Sequence, residues 1–551
     1  MQLRKLIFII VTFFVSTSFA VVDMKNANYA DTWLDLIVPG SGFDLRIQRT
    51  YNSRSLFNGI FGFGWCSDFE TKIEITAEGN IELTECGGGL KIVYYPKSFK
   101  ANSVSSTVNK IIKKVKARNA SASKKYLDTL KNQLLQDSEL RSVWAKDVGI
   151  AKKGNKSGTT YFANGREVEK ISFTGKYYER SLPDSTKQRF DLKGRLIAIY
   201  DKNRNYIKIN YASDVISEVV DNSGRRLRFK FFPNKKVKEI LGPNGLKVQY
   251  RFKSEDVVKV KNAWGNVYTY QYDTVHNLIK ISYPDKTFKS LTYDQRRDWV
   301  MSFRDRNGCT ESYSYLPSRD DPKNHYTSSA VKKCKGKVVN QAKHEFWHKK
   351  RKDGRKFLSR VKTKNKKESL DVVYHEVFGK PVSIRRNGDT TTFSYYPNGL
   401  VKVKATKFSA LYFKYKNKYQ KVSEVTAELY NNRGKVAKKR VTRFKYDSKA
   451  NLIFAKNTDG QEVRLKYDTR GRIASIVDQA KKEVRIKYEE RFGKPAKITR
   501  TNLGTIKVSY KPNGEIKKVE SPEGTTVAVQ VASTFNNLLD VIAPATNELS
   551  L

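Results

Sequence analysis

Between Glu462 and Tyr488 apolar and charged residues alternate with a period of two. In Glu462-Val-Arg-Leu-Lys-Tyr-Asp468, Val463, Leu465 and Tyr467 fall on one side, and Arg464 and Lys466 on the other. That alternation predicts a half-buried strand. Asp468 can accept backbone N–H groups two residues on, which makes an Asx-turn. Gly471 supplies the positive φ that closes a short hairpin. Arg472-Ile-Ala-Ser-Ile-Val-Asp478 then returns as a second strand, with Ile473, Ser475 and Val477 expected on one face. Gln479 to Lys482 turn the chain again, and Glu483-Val-Arg-Ile-Lys-Tyr488 opens the next unit. The pattern predicts strand, turn, strand, turn, strand, so Tyr467-Asp468 and Gly471-Arg472 read as scaffolding.

The same arrangement recurs about every 21 residues. Tyr446-Asp447 lies upstream of Tyr467, and Tyr488 and Tyr510 lie downstream. An earlier series runs through Phe190-Asp191, Tyr211, Phe232, Phe252, Tyr272-Asp273, Tyr293-Asp294 and Tyr315, and a looser one holds Tyr374, Tyr396 and Tyr415. A fixed period over this span predicts a repeat architecture. The interior face of such a sheet is not readable, because either side of the alternation can face inward.

Two regions break the strand period. In 103–148, Val104, Val108, Ile111, Ile112 and Val115 sit at helical spacing, as do Tyr126, Leu127, Leu130, Leu134, Val143 and Trp144. That predicts two or three helices, with Ser121 or Ser123 and Ser138 as N-caps. Their expected role is to cover an open sheet edge or to dock a partner. At the start, Arg4 and Lys5 precede an apolar run from Leu6 to Val15 and a small-x-small site at Ser18-Phe19-Ala20. This reads as a signal peptide over 1–20, cleaved near Val21. No later segment is apolar enough to span a bilayer as a helix. The expectation is an exported protein without a transmembrane anchor after cleavage: periplasmic, outer-surface or secreted.

Composition adds little to this picture. The chain has 551 residues, is 39% hydrophobic and is rich in Tyr and Phe (31 and 29), which favours β-structure over disorder. The net charge is +51, with Lys and Arg spread evenly, so salt-sensitive, unspecific affinity for polyanions is expected. Four cysteines allow three pairings. Proximity favours Cys66–Cys86 and Cys309–Cys334, with free buried thiols as the alternative; a metal site would need a Cys-x-x-Cys spacing that is absent.

One motif could indicate catalysis. His344-Glu345-Phe-Trp-His348 matches His-Glu-x-x-His, a zinc metalloprotease pattern. That chemistry needs a helix, where two histidines four apart share a face and a glutamate activates water. Here the flanks read as two strands around Lys352-Asp353-Gly354-Arg355. In a strand the two histidines stand about 13 Å apart. His375, a conceivable third ligand, lies in another strand-like stretch. The zinc enzyme is therefore a remote alternative, and no cofactor is expected.

Tyr-Asp-x-x-Gly-Arg-Leu/Ile at this period resembles the YD (tyrosine–aspartate) repeat of the Rhs family. Arg49-Thr50-Tyr51-Asn52-Ser53 and Gly62-Phe63-Gly64-Trp65 resemble the module that precedes the repeats in Rhs and wall-associated proteins. The resemblance implies a mainly β fold: a spiralling antiparallel YD-repeat β-sheet shell with an N-terminal β-module and a helical insertion. The expected organisation is a signal peptide (1–20), an N-terminal module (21–100), a helical insertion (101–150), the β-shell (151–525) and a C-terminal cap (526–551). In the family the shell encloses a toxin or another cargo, and toxins are released at an Asp-Pro-x-Gly-Leu motif. The only Asp-Pro here is Asp321-Pro322, followed by Lys323-Asn324, and about 30 residues follow the last repeat. The expectation is a non-enzymatic shell that encapsulates, displays or binds a protein cargo at the envelope or surface. The alternative is a surface carbohydrate-binding or adhesive protein.

Overall fold

The computed structural model describes residues 21–85, 90–99, 102–150, 156–163, 165–351, 356–511, 515–521, 524 and 541. The expected signal peptide, the Cys66–Cys86 pairing through Cys86, the turn at 352–355 and the C-terminal cap apart from Val541 lie outside the described residues. The alternating stretches form one antiparallel sheet of 36 strands, from Lys72–Ile75 to Ile516–Glu520, in which each strand pairs with the next in sequence, Leu90–Pro96 with Thr160–Ala163 across the helical insertion included. Among the described residues no backbone pairing joins the first strand to the last, so the sheet is open and not a barrel.

The curvature comes from a repeated irregularity. Tyr467 pairs with Ile473 but Lys466 pairs with Ser475, which leaves Ala474 as an extra residue on the returning strand. The same register shift stands immediately before Tyr272, Tyr293, Tyr446, Tyr488 and Tyr510. A bulge bends and twists a strand locally. Repeated along one rim of the sheet, it bends the sheet the same way each time. It also corrects the expected second strand. Ile473, Ser475 and Val477 do not share a face: past the bulge Ile476 pairs with Leu465 on the apolar side, and Ser475 and Val477 turn outward opposite Lys466 and Arg464.

The sheet winds until hairpin tips of a second turn rest on those of the first. Lys421 Nζ donates to Pro183 O (3.0 Å), Lys202 Nζ to Ala450 O (3.2 Å) and Asn205 Nδ2 to Arg470 O (3.2 Å), across separations of 238, 248 and 265 residues. The apolar side of the first turn is the inside. Val248, Tyr250, Val260, Tyr270 and Ile281 point there and are buried, whereas Lys and Arg coat the outside.

What buries that side is the N-terminal module. Its strands Val22–Asp23, Asn28–Val38, Leu45–Asn52 and Trp65–Ser67 form a four-stranded sheet that reaches both rims of the first turn. At one rim Val237 N donates to Ile60 O (2.9 Å), Phe63 N to Glu255 O (3.0 Å) and Val300 N to Ala27 O (3.2 Å). At the other, Ala263 N donates to Asp35 O (2.9 Å), and Arg225 donates to Pro39 O and Phe43 O.

The insertion is three helices, α1 (Asn102–Arg118), α2 (Lys124–Gln136) and α3 (Ser138–Asp147). They share a small core of Val108, Ile111, Leu130 and Leu134. Ser123 caps α2 as expected, its Oγ accepting from Tyr126 N. α3 begins at Ser138 itself, so that residue is the first of the helix and not its N-cap position. That role falls to Asp137, whose Oδ1 accepts from Leu140 N (3.0 Å). The helices do not run along the sheet edge either. They sit on the tip of its first hairpin, through Ala77 and the buried Arg141–Glu78 ion pair. The edge strand itself meets a hairpin turn, Ile73 N donating to Gly194 O (2.9 Å). Cys309 and Cys334 form a disulfide across neighbouring strands.

Candidate functional site

The Tyr-Asp pairs are placed on one rim, and each does two things. Asp468 Oδ1 accepts from Arg470 N (3.0 Å) and Arg472 N (2.9 Å), and Oδ2 accepts from Arg472 Nε (2.6 Å). The carboxylate therefore organises its own turn, and the arginine of the motif neutralises it. Asp273 and Asp447 act alike, with Asn277 and Asn451 where Arg472 stands. The tyrosine reaches back. Tyr467 Oη donates to Leu452 O (2.8 Å), Tyr272 to Val257 O (3.1 Å), Tyr293 to Leu278 O (3.0 Å), Tyr488 to Ile473 O (2.8 Å) and Tyr446 to Val422 O (2.8 Å). Each ring thus clasps its unit to the previous one. Burial pushes the hydroxyls of Tyr467 and Tyr488 up to about 12, so they stay protonated donors at any physiological pH.

The His-Glu-x-x-His segment lies in the extended strand Lys337–Lys350. His344 and Glu345 point to opposite faces, and His344 and His348 stand about 13 Å apart by the strand rise. His344 Nδ1 lies 3.0 Å from Thr363 Oγ1, His348 stacks on Tyr326, and Glu345 Oε1 lies 2.8 Å from His325 Nε2. Burial pulls the pKa of both His344 and His348 below the usual value. His375 sits just past the end of strand Ser369–Tyr374, its Nδ1 accepting from Val377 N. Among the described residues no three His, Cys, Asp or Glu side chains are grouped to hold a metal. Elemental analysis of purified protein is expected to show no stoichiometric zinc, and Glu345→Gln to leave its properties unchanged; a tightly bound zinc lost in that variant would overturn this reading.

The densest chemistry lies where the N-terminal module meets the shell. Arg49 is fully buried and pairs with Asp35 through Nε and through Nη2 (3.1 Å). Tyr250 Oη also donates to Asp35 (2.8 Å), and Arg49 Nη2 donates to Tyr270 Oη (3.2 Å). The guanidinium lies 4.4 Å from the Trp65 ring centroid, a cation–π contact. Trp65 Nε1 donates to Tyr272 Oη (2.8 Å), and Tyr51 Oη accepts from Leu278 N (3.0 Å). Burial alone pulls the pKa of Arg49 down, but Asp35 and the surrounding tyrosines outweigh it and the net shift is upward. The residues Arg49, Tyr51 and Trp65 of the N-terminal motifs are thus a docking face for the repeats. Asp35 was missed in the sequence. In Trp33-Leu-Asp-Leu-Ile37 it reads as an ordinary polar strand position, and its partner is revealed only by folding.

Glu70 supports the same junction. Its Oε1 accepts from Ile60 N (2.8 Å) and its Oε2 from Ser67 N (2.9 Å), beside the Asn58–Phe63 hairpin that Lys236 and Glu255 grip. Burial pushes Glu70 up to about 7, against the pull of those donors and Lys236. A pKa raised on folding gives a contribution that is full below about 4.5 and is lost as pH rises through about 7, worth at most about 3 kcal/mol. Thermal unfolding from pH 4.5 to 7.5 is expected to show this loss in the native chain and a flatter profile in Glu70→Gln. Equal slopes would show that the carboxylate is solvated.

Residues 20–91 match the family model described as a domain of unknown function, DUF6531. That span contains the docking module and stops short of the helices. No curated protein matches. Similar solved structures include the crystal structure of TcdB2-TccC3-TEV, at 12% identity, covering 92% of this chain and 28% of that chain, with a TM-score of 0.42. Another is the Photorhabdus luminescens Tc holotoxin pore, at 10% identity over 91% of this chain and 33% of that one, TM-score 0.32. A porin-like protein from Bacteroides uniformis reaches 9% identity over 39% of this chain and 88% of its own, TM-score 0.15. The chain spans about a third of the length of the two Tc structures.

Proposed function

We propose that this chain is an exported, non-enzymatic shell of the Rhs (YD-repeat) type that encloses or displays a protein partner at the cell envelope or surface. The observation that carries the proposal is the direction of the curl. The Tyr-Asp bulges turn the apolar face inward, and the N-terminal module is locked across the first turn from rim to rim. Such a wall serves to partition an interior from solvent. The Cys309–Cys334 bond suits an oxidising compartment, and no described helix is long and apolar enough to cross a membrane. Protein recovered from native cells outside the cytoplasm is expected to begin near Val21. It should release a second polypeptide on unfolding but not on a high-salt wash. An intact Met1 form in the cytosol would overturn export, and a particle that releases nothing would overturn enclosure.

A further inference from the structure

Where the second turn of the sheet rests on the first, the hairpin tips do not close the seam completely. A cleft of about 490 Å³ opens between the 201–205 tip of the first turn and the tips around 419 and 449 of the second. Cations predominate among its lining residues. Lys202 and Arg204 face it from below and Lys449 from above, and none of the three forms a salt bridge among the described residues. Lys187 and Arg189 also border it, but Glu179 holds both, at 2.6 and 2.9 Å. The lining carboxylate, Asp201, is committed to its own turn. Its Oδ1 accepts from Asn203 N (2.8 Å) and Asn205 N (2.9 Å), and its Oδ2 accepts from Asn205 Nδ2 (2.6 Å).

The walls are Tyr200 from the first turn and Tyr419 from the second, whose Oη donates to Ser448 O (2.9 Å). Ser185 and Ser448 also line the cleft. Small ligand sites combine this range of volume with apolar walls and a few convergent polar groups. Tyrosine rings beside hydroxyls suit the apolar and hydroxylated faces of a sugar, and unmatched cations suit an acidic substituent on it.

We infer that this seam cleft binds a small anionic sugar, a uronate or a sulfated or phosphorylated pyranose, whose acidic group lies between Arg204, Lys202 and Lys449. Burial, and then the neighbouring Lys421, pull the pKa of Lys202 down, against the opposing influence of Asp447, Asp201 and Asp184. Lys202 is thus partly withdrawn from water, and Arg204 and Lys449 beside it carry no salt bridge among the described residues. A bound anion would pair with these cations and bridge the two turns. Two of the direct seam bonds here are Lys202 to Ala450 O and Lys421 to Pro183 O, so the ligand also staples the shell. The site does not depend on whether the interior carries cargo.

The test is isothermal titration of the full chain at physiological salt with digalacturonate and glucose 6-sulfate, with cellobiose and inorganic sulfate as controls. Arg204→Gln/Lys449→Gln is compared with Lys487→Gln/Lys497→Gln, which removes the same charge from outward strand positions far along the sheet. At least one acidic sugar is expected to bind and to raise the melting temperature. The cleft variant should weaken that binding about tenfold, and the outward variant should leave it within about twofold. The preferred probe identifies the source of the acidic group. Equal loss in both variants would reduce the effect to net charge, and retention in the cleft variant would remove the site. Cellobiose binding as tightly would overturn the anionic class, and inorganic sulfate binding as tightly would overturn the sugar. Both positions are at exposed turns, so unchanged melting of the unliganded variants is the check on folding.

Discussion

Arg49→Ala is expected to destabilise the chain by about 3–5 kcal/mol, among the largest effects of any single substitution. The guanidinium and the Asp35 carboxylate are almost wholly removed from water, with side-chain exposures of 0% and 2%. Deleting Arg49 leaves Asp35 charged and buried with Tyr250 Oη as its remaining side-chain donor. It also removes the cation from beside Trp65 and the donor from Tyr270. Removing both charges is a different perturbation. Asp35→Leu/Arg49→Met leaves no uncompensated ion, and buried pairs replaced by apolar residues are often neutral or stabilising. The double variant should therefore recover much of what Arg49→Ala loses. Urea unfolding followed by tryptophan fluorescence measures both, since Trp65 sits at the junction. A loss under about 1 kcal/mol in Arg49→Ala would mean that the pair is solvated and that the module is not locked to the shell through it.

Much of the sheet is legible in the sequence, because strands and turns are written locally. Val463, Leu465 and Tyr467 announce their shared face by alternation, and Asp468 and Gly471 announce the turn by chemistry. The extended reading of His344 and His348 follows from the same period. What is not legible is non-local or depends on geometry. The bulge at Ala474 cannot be seen in Arg-Ile-Ala-Ser-Ile-Val-Asp, since that string alternates acceptably with or without it. The acceptor of each tyrosine hydroxyl is a backbone carbonyl, 15 residues upstream for Tyr467, and a carbonyl leaves no mark on residue identity. The interior face became known only through the module that packs on it. Ser138 and Asp137 are both good caps, and the choice rests on which one precedes the first helical turn.

The repeat itself supplies the second large effect, in an order that separates scaffold from catalyst. Tyr467→Ala removes a half-buried ring from the inner wall, a truncation that costs roughly 3–5 kcal/mol in a core. It also leaves Leu452 O without its clasp. Tyr467→Phe isolates that hydrogen bond and should cost about 1 kcal/mol. Gly471 has φ +80°, and a Cβ there would lie 1.8 Å from Asn203 Nδ2 of the neighbouring turn. Gly471→Val therefore adds backbone strain of about 1–3 kcal/mol and displaces Asn203 from the seam. Asp468→Asn keeps the oxygen that accepts from Arg470 N and Arg472 N and loses an ion pair whose side chains are each 22% exposed, so about 1 kcal/mol bounds its cost. Thermal unfolding of the four variants side by side is expected to rank them Tyr467→Ala, Gly471→Val, then the two mild ones. A catalytic aspartate gives the reverse: Asp468→Asn abolishes a measured activity with the melting temperature unmoved, while Tyr467→Ala unfolds no earlier than the native chain. That outcome would show the Tyr-Asp pair to be a site, and the clasp geometry to be incidental to it.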